Sequence, residues 1–284
     1  MRVLIQGITG REGQRALEFM RRSGTDVPAG VTPGKGGQDV DGVPVFESIA
    51  EALDAVGPVD AVSMYVPARA VLPAAREAIE QGVPLIHILA EGMPARDKAE
   101  LFARAEASGV SLLGPGSLGV LTLGEGRVGM VGGENPSATY KPGGTSIISR
   151  SGGMVNEIAH YLAQCGQGFR TMVHLGEEIV PGSTLIRELE RLMGDQKTER
   201  VVIFDETTGP PASFRALASY ASEKKLDKPV VMTLAGSSQS IMPAGIPFGH
   251  TEALAKKEGG ELADIMNMLR GAGISVVDSY EHCI

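Results

Sequence analysis

Val3-Leu4-Ile5-Gln6-Gly7-Ile8-Thr9-Gly10-Arg11-Glu12-Gly13 carries the first decision about the fold. Val3–Gln6 is a short run suited to a buried strand. Three glycines at G-x-x-G-x-x-G spacing follow, and a helical period begins near Glu12 and runs to Ser23. A strand that turns through glycines into a helix brings backbone N–H groups to one point, where the free end of the helix favours an anion. A glycine turn alone is weak evidence for a ligand, since a tight turn needs the same residues.

Outward from this unit the pattern repeats. Val27–Val31, Asp60–Val66, Leu85–Leu89 and Val110–Leu113 read as strands. Helical periods fall near Glu47–Val56, Arg69–Gln81 and Arg96–Ala107. Alternation of this kind predicts an α/β fold with a parallel, doubly wound sheet. Residues 122–143, TLGEGRVGMVGGENPSATYKPG, lose the period and read as an interdomain linker with a short hairpin. The alternation then resumes with strands at Thr145–Ser149, Thr171–Leu175, Val201–Asp205, Val230–Leu234 and Ile274–Val277. Helices are expected at Met154–Cys165, Thr184–Met193, Ala212–Lys224 and near Leu254–Arg270. Two domains are therefore expected, 1–121 and 144–284.

Composition narrows the function. The chain has 284 residues, 43% of them hydrophobic, with a net charge of −8. Each half holds 13 basic and 17 acidic residues, so neither is a basic surface for nucleic acid. Aromatics are 4% with no Trp, too few for base stacking. No apolar run reaches the length of a membrane helix. Two cysteines, Cys165 and Cys283, make neither a disulfide framework nor a four-ligand zinc site, and no metal site is expected. A start too short and polar for a signal peptide and the lack of a disulfide framework make the cytoplasm or an equivalent reducing matrix the expectation.

In such sheets ligands gather at the carboxyl ends of the strands. After the second strand stands Val31-Thr32-Pro33-Gly34-Lys35-Gly36-Gly37. A dinucleotide site wants an acid there for a ribose hydroxyl. Lys35 instead suits a phosphate, which disfavours an NAD-dependent dehydrogenase. Ser149-Arg150-Ser151-Gly152-Gly153 sets a second strand-to-helix turn, which serves either as an anion site or as ordinary capping by Ser151. His87, His160, His174 and His282 read as structural. His250 lies in a Gly-His loop, and a nearby carboxylate on one ring nitrogen leaves the other nucleophilic.

The order of these motifs resembles the α subunit of succinyl-CoA synthetase (succinate–CoA ligase, NDP-forming) from end to end. GITGREG, VTPGKGG, YVPA, EGMP, SRSG, VPGS and the Gly-His loop stand in that family's order. The resemblance implies an N-terminal Rossmann-like CoA-binding domain and a flavodoxin-like ligase domain, both with parallel sheets. It implies a partner, an ATP-grasp β subunit carrying Mg-ATP or Mg-GTP, and a small carboxylic acid and CoA as substrates. By position, Thr9, Gly10, Arg11 and Glu12 form the CoA phosphate turn, and Lys35 meets a CoA phosphate. Tyr65, Val66 and Pro67 line the adenine end beside Leu89, Ala90 and Glu91. His250 matches the phosphohistidine and Glu206 the carboxylate that orients it. Ser149, Ser151, Gly152 and Gly153 match the turn that holds the phosphoryl group.

Departures from the family pattern cluster on the acid side. The tyrosine of S-R-S-G-T-L-T-Y falls on Asn156. G-P-N-C-P-G reads Gly114-Pro115-Gly116-Ser117-Leu118-Gly119, and G-H-A-G-A reads GHTEA. A different short dicarboxylate or a sulfo-carboxylate, such as malate or sulfoacetate, is expected in place of succinate. A divergent succinyl-CoA synthetase and a CoA-binding regulatory protein without turnover are the alternatives.

Overall fold

The computed structural model describes residues 1–177, 183–206, 211–235 and 260–284. The chain divides into two compact units. One holds Met1–Pro142 with Thr171–Ile179, the other Gly143–Arg170 with Val180–Ile284.

The first unit begins β1 (Val3–Gln6), α1 (Arg11–Arg22), β2 (Gly30–Val31), β3 (Asp39–Val40), β4 (Val43–Phe46) and α2 (Ile49–Val56). It continues β5 (Ala61–Met64), α3 (Ala68–Glu80), β6 (Leu85–Ile88), α4 (Ala95–Ser108) and β7 (Ser111–Leu113). The strands lie in the order β3-β4-β2-β1-β5-β6-β7. Only β3 runs antiparallel in this sheet, against β4. Its order reverses at β1, with β2 on one side and β5 on the other, which is where such sheets open a crevice. The strands end abreast: Gln6 is level with Val31 and Met64, Val31 with Phe46, and Met64 with Ile88. The loops that follow β1, β2, β4, β5 and β6 therefore leave from one edge.

Helix α1 buries Gly13, Ala16, Leu17 and Met20, one face at helical spacing. Leu17 and Met20 are almost wholly buried and contribute about 2–3 kcal/mol each. A Cβ at Gly13 would sit 2.3 Å from the Gly7 carbonyl oxygen, so only glycine lets α1 start this close to the turn. Helix α2 starts at Ser48, whose Oγ accepts from the Glu51 N–H at 3.1 Å. Glu77 on α3 accepts from the Ile49 N–H at 2.7 Å, satisfying another group of that first turn.

Residues 122–142 cluster with this first unit. They carry most of a hairpin, β8 (Gly119–Thr122) with β9 (Gly126–Gly129), and a short α5 (Pro136–Thr139). Buried Arg127 anchors the hairpin. Its guanidinium donates to the carbonyls of Phe19, Val131 and Gly133, and it stacks over the Phe19 ring at 4.9 Å. Arg127 thus ties the stretch expected to be a linker with a short hairpin to α1.

The chain continues with β10 (Pro142–Ser149), α6 (Gly152–Gln164), β11 (Phe169–His174), α7 (Ser183–Gly194), β12 (Arg200–Glu206), α8 (Pro211–Lys224), β13 (Val230–Ala235), α9 (Gly260–Gly271) and β14 (Ser275–Val277). Strands β14-β13-β12-β10 lie side by side and all parallel. Val201, Val202 and Ile203 of β12 are fully buried, the unbroken apolar run of a strand covered on both faces. Residues 171–174 of β11 belong to the first unit, where they pair antiparallel with β8. The expected parallel α/β architecture is present, with antiparallel pairing confined to this pair, the β8–β9 hairpin and β3 with β4. Antiparallel neighbours need only short turns, which are harder to see in sequence than a full crossover. No helix among the described residues is long and apolar enough to cross a membrane.

Candidate functional site

At the loop edge of the first unit, Gly10 N-caps α1 in an extended conformation and offers no side-chain cap. Helix geometry leaves the N–H groups of Arg11, Glu12 and Gly13 without intrahelical acceptors. Thr9 is half-buried, while Gly10, Arg11 and Glu12 are exposed. Thr9 Oγ1 lies 3.3 Å from Thr32 Oγ1, which donates to the Val31 carbonyl at 2.8 Å, so the first and second loops are tied together. Lys35 is exposed at the tip of the second loop and makes no ion pair among the described residues.

Tyr65, Val66 and Pro67 follow β5. The Tyr65 ring turns inward, edge-on to His87, and its hydroxyl lies 3.0 Å from Ser63 Oγ. Burial raises the Tyr65 phenol above its ordinary pKa. Val66 is half-buried and Pro67 is exposed. Leu89, Ala90 and Glu91 follow β6, and the 114–119 loop is stitched to them. The Gly116 N–H donates to the Ala90 carbonyl at 2.9 Å and the Ser117 N–H to the Ile88 carbonyl at 3.1 Å. Ser117, one of the residues that departs from the family motif, is fully buried. Its Oγ accepts from the Gly119 N–H at 2.9 Å and donates to the His174 carbonyl. Lys98 on α4 pairs with Glu177 beside this loop.

His87 explains why these loops keep their places. Its Nε2 lies 2.9 Å from the Ser117 carbonyl and its Nδ1 2.7 Å from Ser63 Oγ. A carbonyl only accepts, so Nε2 carries the proton and Nδ1 accepts from Ser63. Ser63 then has a lone pair for the Tyr65 hydroxyl. Burial pushes His87 down to about 4, so the ring is neutral near pH 7.

In the second unit, Ser149 closes β10, and its Oγ accepts from the Ser151 N–H at 3.0 Å. Ser151 caps α6, its Oγ accepting from the Met154 N–H at 3.4 Å. Gly152 and Gly153 form the first turn of that helix. Asn156 donates one amide N–H to the Gly152 carbonyl at 2.9 Å, so its side chain lies back along its own helix. Glu206 is the last residue of β12, buried to 9% exposure. Ser149 is level with Phe204, which brings the 149–156 turn and Glu206 to the same sheet edge. Arg150 joins them: its Nε and Nη2 reach the two Asp205 oxygens at 2.6 and 3.2 Å, and Asp205 Oδ1 also accepts from the Glu206 N–H at 2.7 Å. His250 lies outside the described residues. The described residues contain no cluster of His, Cys, Asp and Glu suited to a metal ion.

Sequence reasoning missed Asp205 as the partner of Arg150. A single acid at a strand end gives no signal until the neighbouring strand is known.

The two halves of the chain match two family descriptions. A CoA binding domain matches residues 1–92, and a succinyl-CoA ligase like flavodoxin domain matches residues 142–284. The chain belongs to the succinyl-CoA ligase α-subunit family. The first match takes in the Thr9–Glu12 turn, Lys35, Tyr65–Pro67 and Leu89–Glu91, and the second takes in Ser149–Asn156, Glu206 and His250.

Among relatives of this family member, the ADP-forming succinate–CoA ligase subunit alpha 2 of Archaeoglobus fulgidus is 33% identical over 275 residues, 97% of this chain and 92% of that one. A subunit of an ADP-forming sulfoacetate–CoA ligase from Acholeplasma sp is 32% identical over 280 residues, 98% and 91% of the two chains. The malate–CoA ligase subunit alpha of Methylorubrum extorquens is 32% identical over 278 residues, 96% and 90%. A solved ATP citrate lyase of Methanothrix soehngenii, in complex with citrate and coenzyme A, superposes with a TM-score of 0.86 at 25% identity. It covers 99% of this chain, which spans 48% of that longer one.

Proposed function

We propose that this chain is the α subunit of an NDP-forming acid–CoA ligase that joins a small carboxylic acid to CoA at the expense of ATP or GTP. The observation that carries the reading is similarity along nearly the whole chain to subunits of CoA ligases named for three different acids. In this reading CoA lies along the loop edge of the first unit. The α1 N-terminus at Thr9–Glu12 and the Lys35 ammonium take its phosphates, and Tyr65–Pro67 with Leu89–Glu91 flank its adenine end. An ATP-grasp β subunit supplies the nucleotide site with its magnesium.

The chemistry answers a simple problem. A carboxylate is a poor acyl donor because its leaving group would be oxide. A His250 ring nitrogen takes the γ-phosphoryl group of the nucleotide and releases the diphosphate. An oxygen of the acid then attacks that phosphorus, freeing His250 and giving an acyl phosphate. The CoA thiol loses its proton and displaces inorganic phosphate, leaving the thioester. Each step replaces one difficult displacement by an easier one. Glu206 is suited to hold the His250 tautomer, and Arg150 with Asp205 keeps the carboxylate and the Ser151 turn level. The N–H groups of the first turn of α6 favour the transferred phosphoryl charge.

The acid is a short dicarboxylate or sulfo-carboxylate other than succinate, with malate and sulfoacetate as models. Asn156 in place of a family tyrosine supports this. Its amide is shorter than a tyrosine and lies back along its own helix, so the pocket is reshaped and its donor is set back.

Incubated with its β subunit and MgATP, the chain is expected to gain an acid-labile, base-stable phosphoryl group on His250. His250→Ala retaining full ligase turnover would overturn the reading.

A further inference from the structure

The Thr32–Gly37 loop must present Lys35, yet it is exposed and rich in glycine. Such a loop has many conformations, and each must be lost again when a ligand binds. In the structure one carboxylate removes that freedom. Glu47, the residue after β4, reaches across with both oxygens. Its Oε2 accepts from the Gly34 N–H at 2.5 Å, and its Oε1 accepts from the Gly36 N–H at 2.6 Å. A Cβ at Gly36 would fall 2.7 Å from that second oxygen, so the glycine is needed for the carboxylate to close in. The remaining N–H groups are also engaged. Lys35 donates to the Thr32 carbonyl at 3.0 Å and Gly37 to the Val45 carbonyl at 2.9 Å.

Two consequences follow. Every N–H from Gly34 to Gly37 already has an acceptor, so the loop offers an anion its lysine side chain rather than its backbone. The carboxylate beside Lys35 is also spent on the turn and makes no ion pair with the ammonium. Its two N–H partners hold Glu47 below the usual carboxylate range, so it remains an acceptor at neutral pH.

We infer that Glu47 is the positioning residue of Lys35: its bidentate hold on Gly34 and Gly36 presets the loop so that the ammonium is presented, unneutralised, to a phosphate of CoA. The inference rests on the reading that the first unit binds CoA. A purely electrostatic view gives the opposite sign, because a carboxylate near a phosphate repels it. Removing Glu47 would then tighten binding.

The test is calorimetric titration of CoA into the full chain as wild type, Glu47→Ala, Lys35→Ala and the double variant, with thermal midpoints recorded alongside. Glu47→Ala is expected to weaken CoA about tenfold in the wild-type background. In the Lys35→Ala background it is expected to weaken CoA less than about twofold, since no ammonium is left to position. Glu47→Asp, which keeps the charge on a shorter arm, is expected to recover part of the affinity. Equal losses in both backgrounds, no loss, or tighter binding by Glu47→Ala would each overturn the inference. Wild type that binds no CoA would instead overturn the reading of the first unit, so the two failures are distinguishable.

Discussion

His87 sits at 0% exposure, bonded at both ring nitrogens, and a second ring proton would have to displace the Ser63 O–H that Nδ1 accepts. Burial holds its pKa at about 4, against 6.5 for the unperturbed group. The unfolded chain therefore binds a proton between these values that the folded chain refuses. A depressed pKa contributes stability that is complete above about 6.5 and is lost as pH falls toward 4. The loss is on the order of 3 kcal/mol for a shift of this size. His87→Gln, which keeps a donor and an acceptor but does not titrate, is expected to flatten this part of the curve. Denaturant unfolding of both proteins from pH 7 to pH 4 checks it; parallel curves would show that His87 is not the group responsible.

Among the elements, the β8–β9 hairpin depends on one cation. Arg127 is wholly buried, and burial pushes its pKa down to about 10, still charged at neutral pH. It spends that charge on backbone carbonyls of α1 and of the segment after β9. Thr25 adds a two-way link: its Oγ1 accepts from the Arg127 N–H and donates to the Arg127 carbonyl, both at 2.8 Å. Arg127→Met keeps apolar volume and removes every donor. Carbonyls left buried and unpaired are expected to cost about 3 kcal/mol or more, read as a lower denaturation midpoint. Arg127→Lys restores a charge but not the planar fork, and is expected to recover only part of the loss. A midpoint unchanged by Arg127→Met would mean that the hairpin is held by its strands alone.

For the whole molecule, the division at Pro142 is not a clean cut. Residues 171–179 return to the first unit, and β11 gives β8 its second neighbour. A fragment of residues 1–142 therefore leaves β8 with an unpaired edge and the Leu118 N–H without His174 Nδ1, which accepts it at 2.8 Å. Unpaired edges associate. The fragment is expected to self-associate in sedimentation velocity, whereas a monomer melting at the full-length midpoint would count against this account. Acid selectivity belongs to this scale too, because the β subunit completes the enzyme in the proposed reading. With the native pair, kcat/KM for malate or sulfoacetate is expected to exceed that for succinate. A site built for one acid rejects another by leaving buried polar groups unpaired, a penalty reaching ~10⁴-fold. Succinate as the best substrate by a clear margin would make this a divergent succinyl-CoA synthetase.

The alternation of apolar runs with helical periods determined the α/β architecture, because a buried parallel strand and its crossover helix each leave a long local signature. Val3–Gln6, Leu85–Leu89 and Val201–Asp205 were legible on that ground. So were the turns at Thr9–Glu12, Lys35 and Ser149–Gly153, since glycine and small polar residues between a strand and a helix have a backbone reason to be there. The short hairpin in residues 122–143 was legible from its glycines, but its packing was not, because nothing along that stretch shows Arg127 buried against α1. Tertiary structure alone decided which side chains meet. Glu47 reaches the Lys35 loop, Asp205 holds Arg150, and His87 joins Ser63 to Ser117 across 24 and 30 positions of sequence. Each is a hydrogen bond between elements distant along the chain, and pattern along one element carries no information about what lies across from it.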